Sequence, residues 1–251
     1  MSAARELAVV VGGAGNLGRV ICAGLAEHGL RVLAVGRSAG ALAALAAQVP
    51  GLQTCVADIA QDSAVDAIAA RIDGPVRLAL NCAGIPVAGG ILEAPTQAIE
   101  SALAIKVTGM IRLVRAVDSQ LAPHARLVAM GGHYGLEPVA YHATAGVANA
   151  ALPNLMRQFS LAYGPRGITG HVIAAGPADT DRLRGIAAAN AERRGVSLET
   201  VLEEMRAESA LHAFTTPAQI AWAVRMLLAP EASALTGSTL MLDSGRRKGL
   251  P

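Results

Sequence analysis

Aromatic side chains are scarce in this 251-residue chain, at 2% of the total. Few ring faces are therefore left on which to stack bases, which argues against a single-stranded nucleic-acid binder. Charge of one sign is also lacking. Lys and Arg number 21 against 19 Asp and Glu, the net charge is +2, and the charges are scattered. No basic block suits nucleic acid or a membrane surface. No uncharged apolar stretch reaches the roughly 18 residues of a membrane-spanning helix. The N-terminal Met1–Glu6 segment is short and polar, and the apolar Leu7–Val11 behind it is too short for a signal peptide. The three cysteines, Cys22, Cys55 and Cys82, are odd in number, far apart and set among apolar neighbours. They read as buried, reduced thiols of a cytoplasmic protein. No His/Cys cluster has metal-ligand spacing, so no metal is expected.

What the chain does have is apolar residues, 53% of them and many of them Ala. Short runs recur at Leu7–Val11, Arg31–Val35, Leu52–Val56, Arg77–Leu80, Arg126–Met130, Thr169–Ala174 and Ser238–Leu242. Several are continuous rather than alternating, as in strands covered on both faces. Helical patterns lie between them, over Asn16–His28, Ala39–Gln48, Ser63–Asp73, Ile99–Leu121, Tyr141–Tyr163 and Pro217–Leu228, where Pro217 suits a first turn. Residues 180–213 are more charged and less regular, and read as a helical excursion over a cleft. The alternation predicts an α/β fold, a Rossmann-like doubly wound parallel sheet of about seven strands. No linker or repeat interrupts it, so residues 1–251 are expected to form a single domain.

Gly12-Gly13-Ala14-Gly15-Asn16-Leu17-Gly18 follows the first strand and leads into a helix. Glycines there let backbone N–H groups approach a pyrophosphate at the helix N-terminus. Close packing alone also places glycines in such turns. The second strand ends in Gly36-Arg37-Ser38, with no carboxylate to bind an adenosine ribose. Either Arg37 is an ordinary exposed loop residue, or its guanidinium meets a 2′-phosphate. The second reading favours NADP over NAD.

With these residues the chain resembles the short-chain dehydrogenase/reductase family across nearly its whole length. The Gly12–Gly18 turn matches the family's Gly-x-x-x-Gly-x-Gly motif, with Asn16 in place of the middle glycine. Asp58-Ile59 matches the pair beside adenine. Asn81-Cys82-Ala83-Gly84 matches Asn-Asn-Ala-Gly. Ala175-Gly176-Pro177-Ala178-Asp179-Thr180 matches the Pro-Gly segment and the Thr that holds the carboxamide. Leu235-Thr236-Gly237 and Leu242-Asp243-Ser244-Gly245 match the last strand. The resemblance implies that Gly12, Asn16, Leu17, Gly18, Arg37, Ser38, Asp58, Ile59, Asn81, Ala83, Gly84, Gly176 and Thr180 bind the cofactor, NADP (NADPH).

The family's catalytic set of Asn, Ser, Tyr and Lys matches less well. Tyr141 keeps the Tyr position. Ala145 holds the Lys position, Gly132 the Ser position and Lys106 the Asn position. A Tyr without a nearby cation stays near a pKa of about 10 and is a poor base at neutral pH. A missing hydrogen bond to the oxyanion is worth about 3 kcal/mol. Lys106 has apolar neighbours nearly all round its helix, which implies burial and hence a partner or a role. Either it reaches the space vacated at Ala145 and restores the cation, or it lies at a subunit interface or the helix surface. His133 and His142 flank the region as acid/base groups or as ordinary polar residues.

Two kinds of activity follow. One is an oxidoreductase acting on a carbonyl or secondary alcohol of a mainly apolar small molecule, with Tyr141 as acid/base and Lys106 in support. The other is a non-redox enzyme (lyase, dehydratase, cyclase or isomerase) or a catalytically inactive cofactor-binding partner on the same scaffold. Ile85–Ile91, Gly132–Tyr141 and the 180–213 excursion should line the pocket, with Val87, Ile91, Leu136, Val139, Leu183 and Ile186 giving it apolar walls. Arg182 and Arg184 meet either an anionic group or solvent. The two longest helices suit a four-helix contact, and the resemblance implies a homodimer or homotetramer.

Overall fold

The apolar runs become strands of one parallel sheet. The computed structural model describes residues 5–87 and 89–249, so residues 1–4 of the charged N-terminal segment and residue 88 of the expected pocket wall lie outside the described residues. The strands are β1 (Leu7–Val11), β2 (Arg31–Gly36), β3 (Gln53–Val56), β4 (Val76–Asn81), β5 (Leu121–Gly132), β6 (Thr169–Ala175) and β7 (Thr239–Leu242). They pair in the order β3-β2-β1-β4-β5-β6-β7. The chain winds outward first in one direction from β1, then from β4 in the other. Ligands of open α/β sheets sit at such a switch, beyond the strands' carboxyl ends. Val11 is in register with both Val35 and Asn81, so the loops after β1, β2 and β4 open on one edge.

Successive side chains of a strand point to opposite faces. Leu7, Val9 and Val11 pack with Leu33, Val35, Met110 and Leu113 on one side. Ala8 and Val10 pack with Ile21, Leu25, Ile220 and Val224 on the other. Both faces are covered, which is why β1 is apolar without alternation.

The helices are α1 (Gly18–Glu27), α2 (Ala39–Gln48), α3 (Ala64–Ala69), α4 (Thr96–Leu103), α5 (Gly109–Val117), α6 (Ala143–Tyr163), α7 (Asp181–Arg194), α8 (Leu198–Ala207) and α9 (Pro217–Met226). Several boundaries differ from expectation: β5 begins at Leu121 rather than Arg126, α1 at Gly18 rather than Asn16, and three further helices change. The helix expected over Ser63–Asp73 ends at Ala69, shortly before Gly74-Pro75. The expected Ile99–Leu121 helix is two helices, α4 and α5, joined by a π turn at Ala104–Thr108, and Leu121 already belongs to β5. The helix expected from Tyr141 starts at Ala143, because Ala140–His142 forms a 3-10 turn. The 180–213 excursion holds two helices. Gly195 ends α7 at a φ of +66°, and the Ser197 hydroxyl caps α8 by accepting from the Thr200 N–H.

Candidate active site

A cavity of about 780 Å³ opens along the carboxyl edge of β1, β2 and β4. The turn after β1 forms its floor, and at positions 12 and 18 that turn tolerates nothing larger than glycine. A Cβ on Gly18 would stand 2.1 Å from the Gly12 carbonyl oxygen, and one on Gly12, whose φ is +79°, 2.8 Å from the Ala83 backbone. The N-terminus of α1 opens on this cavity, and a helix N-terminus suits an anion. Asn16, Leu17 and Gly18 line the cavity together with Arg37 and Ser38. Arg37 is exposed at the end of β2. The Ser38 hydroxyl caps α2 by accepting from the Ala41 N–H at 3.2 Å. A smaller adjoining cavity of about 130 Å³ is lined by Arg37, Asp58, Ile59, Ala83 and Gly84. Asp58 turns its carboxylate to the Ala60 N–H, 3.1 Å away.

Three of the expected cofactor residues have a different relation to the cleft. Asn81 is buried; it donates to the Ile105 carbonyl at 2.9 Å and accepts from the Ala83 N–H at 3.1 Å. It ties the β4 exit to the π turn and shapes the cleft without lining it. Gly176 lies under β7, where a Cβ would meet Asp243 at 2.8 Å. Thr180 does line the cavity, but its hydroxyl caps α7, accepting from the Leu183 N–H and donating to the Ala178 carbonyl.

The π turn presents Lys106. A π turn leaves carbonyls without regular partners, and side chains supply them: Asn81 for Ile105, and Thr108 and Arg112 for Ala104. Lys106 is 7% exposed, so it is neither a helix-surface residue nor a solvated one. Its ammonium donates to the Met130 carbonyl at 2.8 Å, at the carboxyl end of β5. Burial, and then the nearby Arg182 charge, push its pKa down to about 8. Ala145 packs in an apolar cluster with Ile85, Ala102, Leu103 and Ala148.

Tyr141 stands elsewhere. It is 61% exposed and lines a separate cavity of about 260 Å³ with His133, Tyr134, Glu137, Glu208, Arg246 and Lys248. Its ring meets that of Tyr134 edge-on at 6.2 Å, and Tyr134 stacks on His142 at 4.5 Å. His133 Nδ1 lies 3.5 Å from the buried Asp243 carboxylate. Burial lowers the pKa of both histidines, and Arg246 lowers it further in each case. The two residues expected to act together, Tyr141 and Lys106, thus sit in different surroundings.

Asn149 escaped the sequence reading. Its side-chain nitrogen lies 2.9 Å from where a Cβ on Gly132 would be, and its Oδ1 is buried without a partner. A polar residue inside an Ala-rich helix was the available signal. Gly135 has the same cause as Gly132, since a Cβ there would meet Asn149 backbone and Cβ atoms within 2.9 Å. Pro153, one turn on inside α6, has no N–H to offer the Asn149 carbonyl. Arg182 also lines the main cavity, whereas Arg184 is held by Asp179 at 3.0 Å.

Comparison with known proteins agrees with this geometry. The family model described as enoyl-(acyl carrier protein) reductase matches residues 12–247. The short-chain reductase protein NovJ of Streptomyces niveus is 28% identical over 253 residues, covering 96% of this chain and 94% of its own. The 3-oxoacyl-(acyl-carrier-protein) reductase FabG of Escherichia coli K12 is 26% identical over 247 residues, covering 96% of each. In fold, the chain is similar to an NADPH-bound short-chain oxidoreductase of Pseudomonas aeruginosa PAO1 containing an atypical catalytic center. That likeness has a TM-score of 0.85 at 24% identity, over 98% of both chains. Among the described residues no helix is long and apolar enough to cross a membrane. The sheet order, the glycine turn and the match over residues 12–247 together make this chain a member of the short-chain dehydrogenase/reductase family of oxidoreductases.

Proposed function

We propose that this protein is an NADP(H)-dependent oxidoreductase that interconverts a carbonyl and a secondary alcohol on a small molecule with a largely apolar body. The observation that carries it is the cleft itself: a glycine cradle for the diphosphate, with Arg37 and Ser38 rather than a carboxylate at its ribose end. The cofactor fits because the glycine turn, the start of α1 and the Arg37-Ser38 loop line one open cavity of about 780 Å³. When bound, it supplies the hydride. The chain holds the diphosphate on the α1 N-terminus and the 2′-phosphate on Arg37, and closes the far side with Thr180 and with Leu183 and Ile186 of α7. Tyr141 is the acid/base in this reading, and Lys106 supplies positive charge at the β5 edge. A homodimer or homotetramer formed through α4–α5 and α6 suits Val147 and Leu161, large apolar residues exposed on α6.

One observation favours a second reading. Tyr141, Tyr134 and His133 line a cavity of their own rather than the nucleotide cleft. A non-redox acid/base enzyme on this scaffold, a lyase, dehydratase, cyclase or isomerase, would use that cavity. The fall in NADPH absorbance over a broad panel of ketones and aldehydes separates the two. Consumption that drops at least about tenfold in Tyr141→Phe supports the first reading. Binding of NADPH without consumption of it by any member of the panel leaves the second.

A further inference from the structure

Among the described residues that line the main cavity, the charged ones are Arg37 and Arg182, and no Asp or Glu joins them. Arg37 stands at the end of β2. Arg182 comes from the first turn of α7, and four contacts locate it. Its Nη2 donates to the Ile85 carbonyl at 2.9 Å, just beyond β4. Its Nη1 lies 3.5 Å from where a Cβ on Gly84 would be, and Gly84 also lines the cavity. A Cβ on Gly12 would in turn meet the Ala83 backbone at 2.8 Å, so the segment that holds Arg182 is packed against the glycine turn. The adjacent Asp181 reaches Arg19 at 3.9 Å, which puts the first turn of α7 beside the first turn of α1. No carboxylate pairs with Arg182 among the described residues. The acids nearest it in sequence, Asp179 and Asp181, go to Arg184 and Arg19. A guanidinium carries five N–H donors, and the Ile85 carbonyl engages one nitrogen. That bond fixes an otherwise freely rotating side chain, and a donor fixed in advance meets its ligand at a lower cost in entropy.

We propose that Arg182 is a second holder of the cofactor's diphosphate, gripping it from α7 while the α1 N-terminus holds it from the sheet side. This rests on the NADP(H) reading of the cleft. The glycine turn offers backbone N–H groups and the end of a helix dipole, but residues 12–18 include no cation. Arg182 supplies the full positive charge, and charge-assisted bonds from Arg to phosphate are among the strong ones. The two arginines thus divide the work. The diphosphate is common to NADP(H) and NAD(H), so Arg182 adds affinity without choosing between them. The 2′-phosphate is not, so Arg37 chooses. The same contact fastens α7 to the cofactor it covers.

The test titrates NADPH, NADH and adenosine 2′-monophosphate, which has the 2′-phosphate but no diphosphate, into wild type, Arg182→Met and Arg37→Ala. Arg182→Met should weaken NADPH and NADH by the same factor, at least about tenfold, and leave adenosine 2′-monophosphate within about twofold. Arg37→Ala should do the converse, weakening NADPH and the monophosphate and sparing NADH. Arg182 is exposed on α7, and retained binding of the monophosphate shows that the variant's cleft is intact. Unchanged affinity for both dinucleotides in Arg182→Met overturns the assignment. So does a loss confined to NADPH, which would place Arg182 at the 2′-phosphate, and so does a loss that extends equally to the monophosphate. A wild type that binds neither dinucleotide sinks the NADP(H) reading and the assignment with it. A wild type that binds them as tightly as Arg182→Met does sinks the assignment alone.

Discussion

The two ends of the cleft differ in how much freedom the backbone leaves them. At the nucleotide end, glycines at 12 and 18 are fixed by backbone contacts below 3 Å, and Arg37 and Ser38 line the cavity beyond β2. At the inner end, side chains set the contacts: Lys106 bonds to the Met130 carbonyl, Asn149 fills the space beside Gly132, and Tyr141 lines a second cavity. Backbone complementarity to a cofactor cannot be altered one residue at a time. Side-chain complementarity to a substrate can, and the catalytic set carries three of the departures from the family pattern, at Gly132, Ala145 and Lys106.

Four substitutions sharpen this contrast. Gly18→Ala should have the largest effect, because its Cβ meets a backbone oxygen that has nowhere to go. A loss of about 3 kcal/mol in denaturant unfolding and loss of measurable NADPH binding are expected. Lys106→Met comes next, and pH reveals it. An ammonium whose pKa falls from 10.5 to about 8 on folding binds fewer protons folded than unfolded between those values. Wild-type stability from this group should rise as pH goes from about 8 to 10.5, whereas below pH 8 the buried charge opposes folding in full, on the order of 3 kcal/mol. Lys106→Met should be the more stable protein near pH 7, and the gap should close as the pH rises. Parallel stability curves for the two proteins would show that Lys106 is not a buried cation.

Arg37→Ala should weaken NADPH binding about tenfold, about 1.4 kcal/mol, and leave NADH unchanged. An equal loss for both cofactors would reduce Arg37 to a general electrostatic role. Gly132→Ser should have the smallest effect, about 1 kcal/mol, because what it meets is the tip of the Asn149 side chain. Combined with Asn149→Ala, that loss should largely disappear. Additive losses in the double variant would mean the two positions do not share space.

The fold was largely legible because its signals are local. Continuous apolar runs marked the strands, and the burial of Lys106 followed from its all-apolar helical neighbours. The π turn that aims Lys106 at Met130 was not legible, since it depends on Asn81 reaching from β4 to take up the Ile105 carbonyl. Asn149 was missed for a similar reason. Its importance comes from α6 lying against residues 132–135 of a distant strand end, and not from anything in its own helix. Tyr141 illustrates the opposite limit: its motif position was clear, but the 3-10 turn at Ala140–His142 sets where its ring points. Local pattern reports which elements form, and side-chain exchange between elements decides what the site contains.

The contrast rests on the nucleotide end being intact, and the most direct measurement is the affinity of the wild-type protein for NADPH against NADH, by fluorescence or thermal-shift titration. NADPH should bind at least about tenfold more tightly. Equal affinities, a preference for NADH, or binding of neither would contradict an intact NADP(H) site at the end of β2.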